Sequence, residues 1–258
     1  TIIGLETATS GTVHFRDQQI SGLSTAGMRP YRSSIQLIFQ DPYSALNARM
    51  TVLDIISEGL IYHGLIKESA EADVRYWLQE VGLDPNSLHR YPHEFSGGQR
   101  QRICIARAIS VKPKFIICDE AVSALDVSVQ AQVINLLQEL ADKHELSYLF
   151  ISHDLSVVQH ISDRIAVMYL GKIVELGPTE SIIKNPQHPY TKALISAIPI
   201  PGVEQDERTI LEGEVPSPSN PPSGCSFHTR CPLAQDKCKT DTPALETKDG
   251  RDVSCHFV

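Results

Sequence analysis

The stretch Phe95–Asp126, FSGGQRQRICIARAISVKPKFIICDEAVSALD, decides the fold of this chain. Ser96-Gly97-Gly98 caps the start of a helix whose first turn is Gln99-Arg100-Gln101-Arg102. A helix N-terminus presents free N–H groups and the positive end of the backbone dipole, so it seats phosphate. Glycines there let an anion approach the backbone with no Cβ in the way. Phe115-Ile116-Ile117-Cys118 then reads as a buried strand that ends in Asp119-Glu120. Successive residues of a strand point to opposite faces, so one carboxylate can serve a Mg²⁺ shell while the other faces an attacking water. Singly, each piece has a plainer reading, a loop or an exposed strand end. Their order and spacing outweigh it.

Working outward, Thr1–Leu5 reads as the end of a helix closed by Gly4, and Thr12–Phe15 as a short strand. Ile35–Phe39 is a stronger strand that runs into Gln40-Asp41-Pro42. From Thr51 to about Ser110 the periodicity is helical, with stripes Val52, Ile55, Ile56, Leu60 and Val74, Trp77, Leu78, Val81. Downstream, Ser128–Lys143 carries one apolar face, and Tyr148–Ile151 reads as a second buried strand ending in Ser152-His153-Asp154. Buried strands alternating with amphipathic helices predict a mostly parallel α/β sheet, with ligands at the strands' carboxyl ends. Ile165–Leu176 reads as a hairpin around Gly171, a short helix is expected over Lys192–Ala197, and frequent proline makes Pro199–Gly224 an extended arm.

The chain has 258 residues, 41% of them hydrophobic and 21% charged, an ordinary globular composition. A net charge of −8 argues against a nucleic-acid partner, which needs a basic face. No apolar run reaches the roughly 18 residues that span a bilayer, and the opening residues do not read as a signal peptide. Cys104 and Cys118 lie among isoleucines and are read as small core residues. Cys225, Cys231, Cys238 and Cys255 cluster near the end, spaced C-x5-C-x6-C-x16-C.

With these residues in place, the chain resembles the ATPase subunit of ABC transporters. Ser96-Gly97-Gly98-Gln99 looks like the family signature, Asp119-Glu120 the Walker B pair, Ser123–Asp126 the D-loop, Gln40 the Q-loop glutamine and His153 the switch histidine. NPQHPYTKALISAIP and the tail GCSFHTRCP narrow the resemblance to the dipeptide/oligopeptide permease group of bacterial importers. It implies an α/β ABC-ATPase fold, a P-loop NTPase with a RecA-like core, an inserted helical subdomain and a small cysteine-rich C-terminal extension. The expected division is 1–41 and 113–180 for the core, 42–112 for the helical subdomain and 181–258 for the extension.

The resemblance assigns catalysis to Glu120, His153 and Gln40. It assigns nucleotide contacts to Ser96, Gly97, Gly98, Gln99, Asp119 and Asp126, and Mg²⁺ to Asp119 and Gln40. ATP is the implied substrate. The partners are a second ABC ATPase, identical or homologous, two transmembrane permease subunits and, indirectly, a periplasmic or extracellular solute-binding protein, at the cytoplasmic face of the inner membrane. G-x-x-x-x-G-K-[ST] does not occur in the sequence. The family's P-loop falls just upstream of Gly4, so the chain is expected to be a piece cut within the helix that follows, inactive by itself.

The reducing cytoplasm disfavours disulfides in the tail. Four thiolates suit Zn²⁺ or an iron–sulfur cluster. Similar tails of the peptide importers bind a 4Fe–4S cluster, so the resemblance favours that over zinc at Cys225, Cys231, Cys238 and Cys255. His228 and His256 are reserve ligands. Competing functions are an importer ATPase for nickel complexes or glutathione, a soluble ABC ATPase of DNA repair or translation, and a non-catalytic metal- or redox-sensing module. The absence of sustained heptads disfavours the coiled-coil repair proteins. The Gln40, Asp119, Glu120 and His153 set disfavours the sensing module.

Overall fold

The computed structural model describes residues 1–198 and 211–258, and the chain divides into two units, Thr1–His153 and Asp154–Val258. Residues 199–210 of the proline-rich arm lie outside the described residues, and 211–224 carry no helix or strand.

The first unit opens with a turn, not the end of a helix. Gly4 N–H closes on Thr1 O at 2.9 Å and Gly4 takes a φ of +73°. A two-residue hairpin follows, β1 (His14–Phe15) against β2 (Gln18–Gln19), then a short helix α1 (Thr25–Met28). Ile20, Met28 and Ile35 are buried together beneath these pieces.

The framework is a three-stranded parallel sheet of β3 (Ile35–Ile38), β4 (Phe115–Asp119) and β5 (Ser147–Ile151), with β4 in the centre. Ile38 lies opposite Cys118, and Asp119 opposite Ile151, so the three strands end level with one another. Between β3 and β4 the chain is helical: α2 (Pro42–Ala45), α3 (Val52–Tyr62), α4 (Ala70–Glu80) and α5 (Gly97–Ser110), of which α2, α3 and α4 pack on α5. The apolar stripes anticipated in α3 and α4 are buried. Thr51 and Asp54 form a reciprocal capping box that starts α3. Helix α6 (Val127–His144) connects β4 to β5. Glu80 ties the end of α4 to that of α6, accepting from Lys143 Nζ at 2.7 Å and pairing with His144 Nε2 at 3.1 Å.

Two expectations are corrected here. Strand β5 is not buried. Among the described residues it is an edge strand, paired with β4 alone, and Leu149 and Ile151 are 37% and 44% exposed. Cys104 and Cys118 are core residues as anticipated, and burial pushes their thiols up to about 11 and about 12.

The second unit begins with α7 (Leu155–Ile161) and the hairpin β6 (Arg164–Tyr169) and β7 (Lys172–Pro178). Helices α8 (Thr179–Lys184) and α9 (Pro189–Ser196) follow, then α10 (Asp236–Thr240), β8 (Glu246–Lys248) and β9 (Arg251–Val253). Strand β9 pairs with β7, so the last residues complete a four-stranded antiparallel sheet. Helix α9 starts three residues earlier than the periodicity suggests, because Pro189 suits the first helical position and His188 caps it.

Glu175, on β7, is fully buried and organises this unit. Its carboxylate accepts the backbone N–H groups of Gln187 and His188, both at 2.9 Å, and Arg251 Nη1 lies 3.7 Å away. Arg251 also donates to the carbonyls of Ser181 and Asn185. Phe227 packs among Tyr169, Tyr190 and His188 and so anchors the cysteine-bearing tail. His188 Nδ1 accepts the Tyr190 N–H at 3.1 Å, which requires a neutral ring, and burial lowers its pKa to about 4.

The unfolded chain therefore takes up this proton before the folded one does. The second unit is expected to lose up to ~3 kcal/mol of stability as pH falls from about 6.5 to about 4. Denaturant unfolding across that window, compared with His188→Asn, checks this. The substitution retains a capping acceptor that does not titrate, so its pH dependence should be shallower, and equal slopes would contradict the assignment.

Candidate functional site

Because β3, β4 and β5 run parallel and end level, residues just beyond their carboxyl ends converge. Gln40 stands two residues past β3, Glu120 one past β4 and His153 two past β5. Gln40 Nε2 donates to Glu120 Oε2 at 2.7 Å, and His153 Nδ1 lies 3.4 Å from Glu120 Oε1. One oxygen of the carboxylate thus accepts a hydrogen bond from a residue 80 positions away in sequence, and the other lies near the His153 ring. His153 is 71% exposed, whereas Glu120 is recessed.

The backbone sets the direction of this carboxylate. Strand alternation was expected to separate Asp119 from Glu120, but β4 stops at Asp119 and Glu120 takes a left-handed φ of +48°. Its N–H donates to Ile151 O at 3.0 Å, and its carbonyl accepts from the Ser123 hydroxyl at 3.0 Å. A non-glycine residue is uncommon in this region and persists only where its surroundings fix it. Asp119 remains exposed at the strand end.

The signature segment starts α5 through a capping box. Gln99 N–H donates to Ser96 Oγ at 3.3 Å, and Ser96 N–H to Gln99 Oε1 at 3.0 Å. Gln99 is therefore occupied in holding the cap. The two glycines differ. A Cβ on Gly97 would meet nothing closer than Leu125 Cδ2 at 3.9 Å, whereas one on Gly98 would lie 2.3 Å from Val129 Cγ1. Gly97 leaves its face open, as expected. Gly98 is required where α5 crosses the first turn of α6. Asp126 caps that turn, accepting from Val129 N–H at 3.0 Å and the Ser128 hydroxyl at 2.9 Å, bonds that hold its carboxyl below the usual range.

Three residues that sequence reading did not flag also gather here. Arg100 lies over the Tyr43 ring at 3.9 Å, and Arg107 Nη1 donates to Ala45 O at 2.7 Å. No local pattern announces these contacts, which join segments about sixty residues apart.

In the second unit, the four tail cysteines are free thiols. Cys225 N–H donates to Cys238 O at 2.9 Å, and burial raises the thiols of Cys225 and Cys231, helped by the other cysteines. Among the described residues, however, no three His, Cys, Asp or Glu side chains are gathered to hold a metal ion. Cys238 lies on α10 and Cys255 just beyond β9, and the electrostatic influence of the four cysteines on one another sets them in one neighbourhood. The histidines are engaged elsewhere: His228 Nδ1 lies 2.9 Å from Cys225 O and His256 Nε2 3.0 Å from Asp241 O.

Comparison with known proteins adds to this picture. Residues 1–123 match the family model "ABC transporter", and 174–238 match "Oligopeptide/dipeptide transporter, C-terminal region". The oligopeptide transport ATP-binding protein OppF of Salmonella typhimurium is 54% identical over 98% of this chain and 78% of its own length. AppF of Bacillus subtilis, an oligopeptide transport ATP-binding protein, is 52% identical over the whole chain and 80% of its own length. The solved cbiO1 of Clostridium perfringens, part of an ABC transporter complex, aligns with TM-score 0.64 at 26% identity, over 71% of this chain and 72% of its own. A dimeric ATP-binding cassette bound to ADP and phosphate shares the fold at 24% identity and TM-score 0.61, over 68% of this chain and 76% of its own.

The glycine contrast is testable. Gly98→Ala should destabilise the first unit by roughly 1–3 kcal/mol through overpacking on Val129. Gly97→Ala should be neutral or slightly stabilising, since alanine suits a helix better. Denaturant melts of the two variants check this, and the double change Gly98→Ala/Val129→Ala should recover much of the loss.

Proposed function

Since this chain belongs to the ATP-binding subunits of ABC transporters, with oligopeptide transport proteins among its relatives, we propose that it drives uptake of di- and oligopeptides, with Glu120 as the catalytic carboxylate. Its activity is that of the family, ATP hydrolysis coupled to transport. Among the described residues no helix is long and apolar enough to cross a membrane, so membrane subunits must supply the path. The coarse fold, an α/β ABC ATPase, is common to this chain and the solved structures. We read the helices within 42–112 as its inserted subdomain and 181–258 as its C-terminal extension.

The observation that carries the reading is the hydrogen bond from Gln40 to the Glu120 carboxylate, with His153 beside its other oxygen. A carboxylate at a strand end, oriented by a hydrogen bond to one oxygen, can polarise a water and accept its proton. Gln40 sets the rotation of the carboxylate through Oε2, and His153, exposed beside Oε1, is placed to contact the terminal phosphate. Asp119 and the Gln40 amide are hard oxygen donors that suit Mg²⁺, and they would hold it; when bound, the ion supplies charge neutralisation on the phosphate oxygens. Ser96, whose Oγ already marks a helix N-terminus, and the open face of Gly97 suit a phosphate held by a second ABC subunit, identical or homologous. Asp126 would order that edge. We place the subunit at the cytoplasmic face, beside two permease subunits fed by a solute-binding protein. The cleft of about 500 Å³ lined by Phe39, Ile55, Tyr62, Arg107 and neighbours suits a short helix of a permease subunit.

Phosphoryl transfer depends on positioning and charge stabilisation, so Glu120→Gln should keep ATP binding while lowering turnover by about 10²–10⁴-fold. It should also trap a nucleotide-bound dimer. Steady-state hydrolysis and size-exclusion chromatography with ATP check both, and near-parental turnover would remove Glu120 from this role.

For the tail we retain the 4Fe–4S cluster, with zinc as the alternative, on the chemistry of four free cysteines and the Cys225–Cys238 backbone tie. Four thiolates match either ligand, and binding would fix the positions of four side chains already in one neighbourhood. Anaerobic purification should give a brown protein with iron and acid-labile sulfide. Zinc without iron would overturn the cluster, and neither metal would overturn the site.

A further inference from the structure

The segment that follows Gln40 is fastened to the signature helix at both of its ends. Asp41 caps α2 by accepting the N–H groups of Tyr43 at 2.9 Å and Ser44 at 3.2 Å, so Gln40 adjoins a rigid turn. At the far end, Ala45 O accepts from Arg107 Nη1 at 2.7 Å. Near the start, the Arg100 guanidinium lies 3.9 Å from the centre of the Tyr43 ring. Arg100 and Arg107 stand seven residues apart on α5, two helical turns, and therefore share one face of it.

Arg100 has a second engagement. Its Nε donates to Pro92 O at 2.7 Å and its Nη2 to His93 O at 3.3 Å. Those carbonyls belong to the single turn Pro92–Glu94 that leads into Ser96. One guanidinium thus grips the approach to the signature and the ring beyond Gln40. The partners differ in burial: Arg100 is 9% exposed, whereas Tyr43 is 63% exposed. A ring so open adds little to core packing, so its contact with Arg100 calls for another explanation.

We propose that Tyr43 and Arg100 are positioning residues that link the carboxylate grip of Gln40 to the placement of Ser96. The proposal rests on the reading of Glu120 and Ser96 given above. When Gln40 shifts against Glu120, the capped turn shifts with it, and the cation–π contact carries the displacement to the loop entering α5. A guanidinium suits this task because its planar fork holds two carbonyls while its face stacks on an aromatic ring. Arg107 acts as the second fastening, which keeps α2 from rotating about the first.

The test uses the subunit in its assembled transporter, with kcat and KM for ATP measured separately. Tyr43→Ala should lower kcat by about tenfold and leave KM within about twofold, the scale expected for losing one cation–π contact. Tyr43→Phe, which keeps the ring, should restore kcat to within about twofold of the parent. Arg100→Met, which also gives up the Pro92 and His93 carbonyls, should lower kcat at least as much as Tyr43→Ala, and the double variant should be no slower than Arg100→Met alone. A purely structural ring would instead lower the melting temperature with kcat per folded molecule unchanged. Parental kcat in Tyr43→Ala, failure of the phenylalanine to restore it, or additive losses in the double variant would each overturn the proposal. Should Arg100→Met fail to fold, the alanine and phenylalanine pair at position 43 decides by itself. Retained turnover in Glu120→Gln would fell the catalytic reading instead, and leaves the coupling of Tyr43 with Arg100 separately measurable.

Discussion

Everything at the candidate site depends on one carboxylate that accepts a hydrogen bond from Gln40 and faces His153. Glu120 sits where β4 ends, turned by a left-handed backbone that its bonds to Ile151 and Ser123 stabilise. That conformation costs on the order of 1–3 kcal/mol for a non-glycine residue. What it achieves is direction: the side chain leaves the strand axis and meets Gln40 and His153. Neither partner could reach it without the parallel register that brings three strand ends level.

A second constraint sits one layer away, where α5 meets α6. Gly98 lets the signature helix come within van der Waals distance of Val129, and Asp126 caps α6 at the same turn. The signature and the turn after β4 are thereby packed as one piece. The capping box of Ser96 and Gln99 fixes where α5 begins. The Glu120 carboxylate, the Asp126 cap and the Ser96–Gln99 segment are thus placed by short-range contacts in a single unit. The second unit uses a comparable device of its own, a buried carboxylate at Glu175 that ties a loop to two strands.

The sequence was most legible where local chemistry is strong. The strand endings at Gln40, Glu120 and His153, the cap at Ser96 and the stripes of α3 and α4 could all be read from residue type and spacing. It was least legible where the cause is distant. The close approach of Gly98 to Val129 requires knowing how two helices cross, so the glycine looked like an open phosphate seat. The contact of Tyr43 with Arg100 joins residues that no periodicity relates. Strand β5 read as buried from its apolar run, yet burial is set by neighbours, and among the described residues β4 alone pairs with it. In the tail, residue type suggested a four-cysteine site; the four lie within electrostatic reach of one another, yet among the described residues no three side chains are gathered to hold a metal.

The central claim is that Gln40 acts through Glu120. A double-mutant cycle on single-turnover ATP hydrolysis by the assembled transporter tests it most directly, using Gln40→Ala, Glu120→Gln and their combination. If Gln40 works by orienting that carboxylate, removing it should slow the parent yet add almost nothing once Glu120 is a glutamine. Independent, multiplicative losses would show that the 2.7 Å contact between them has no part in the chemistry.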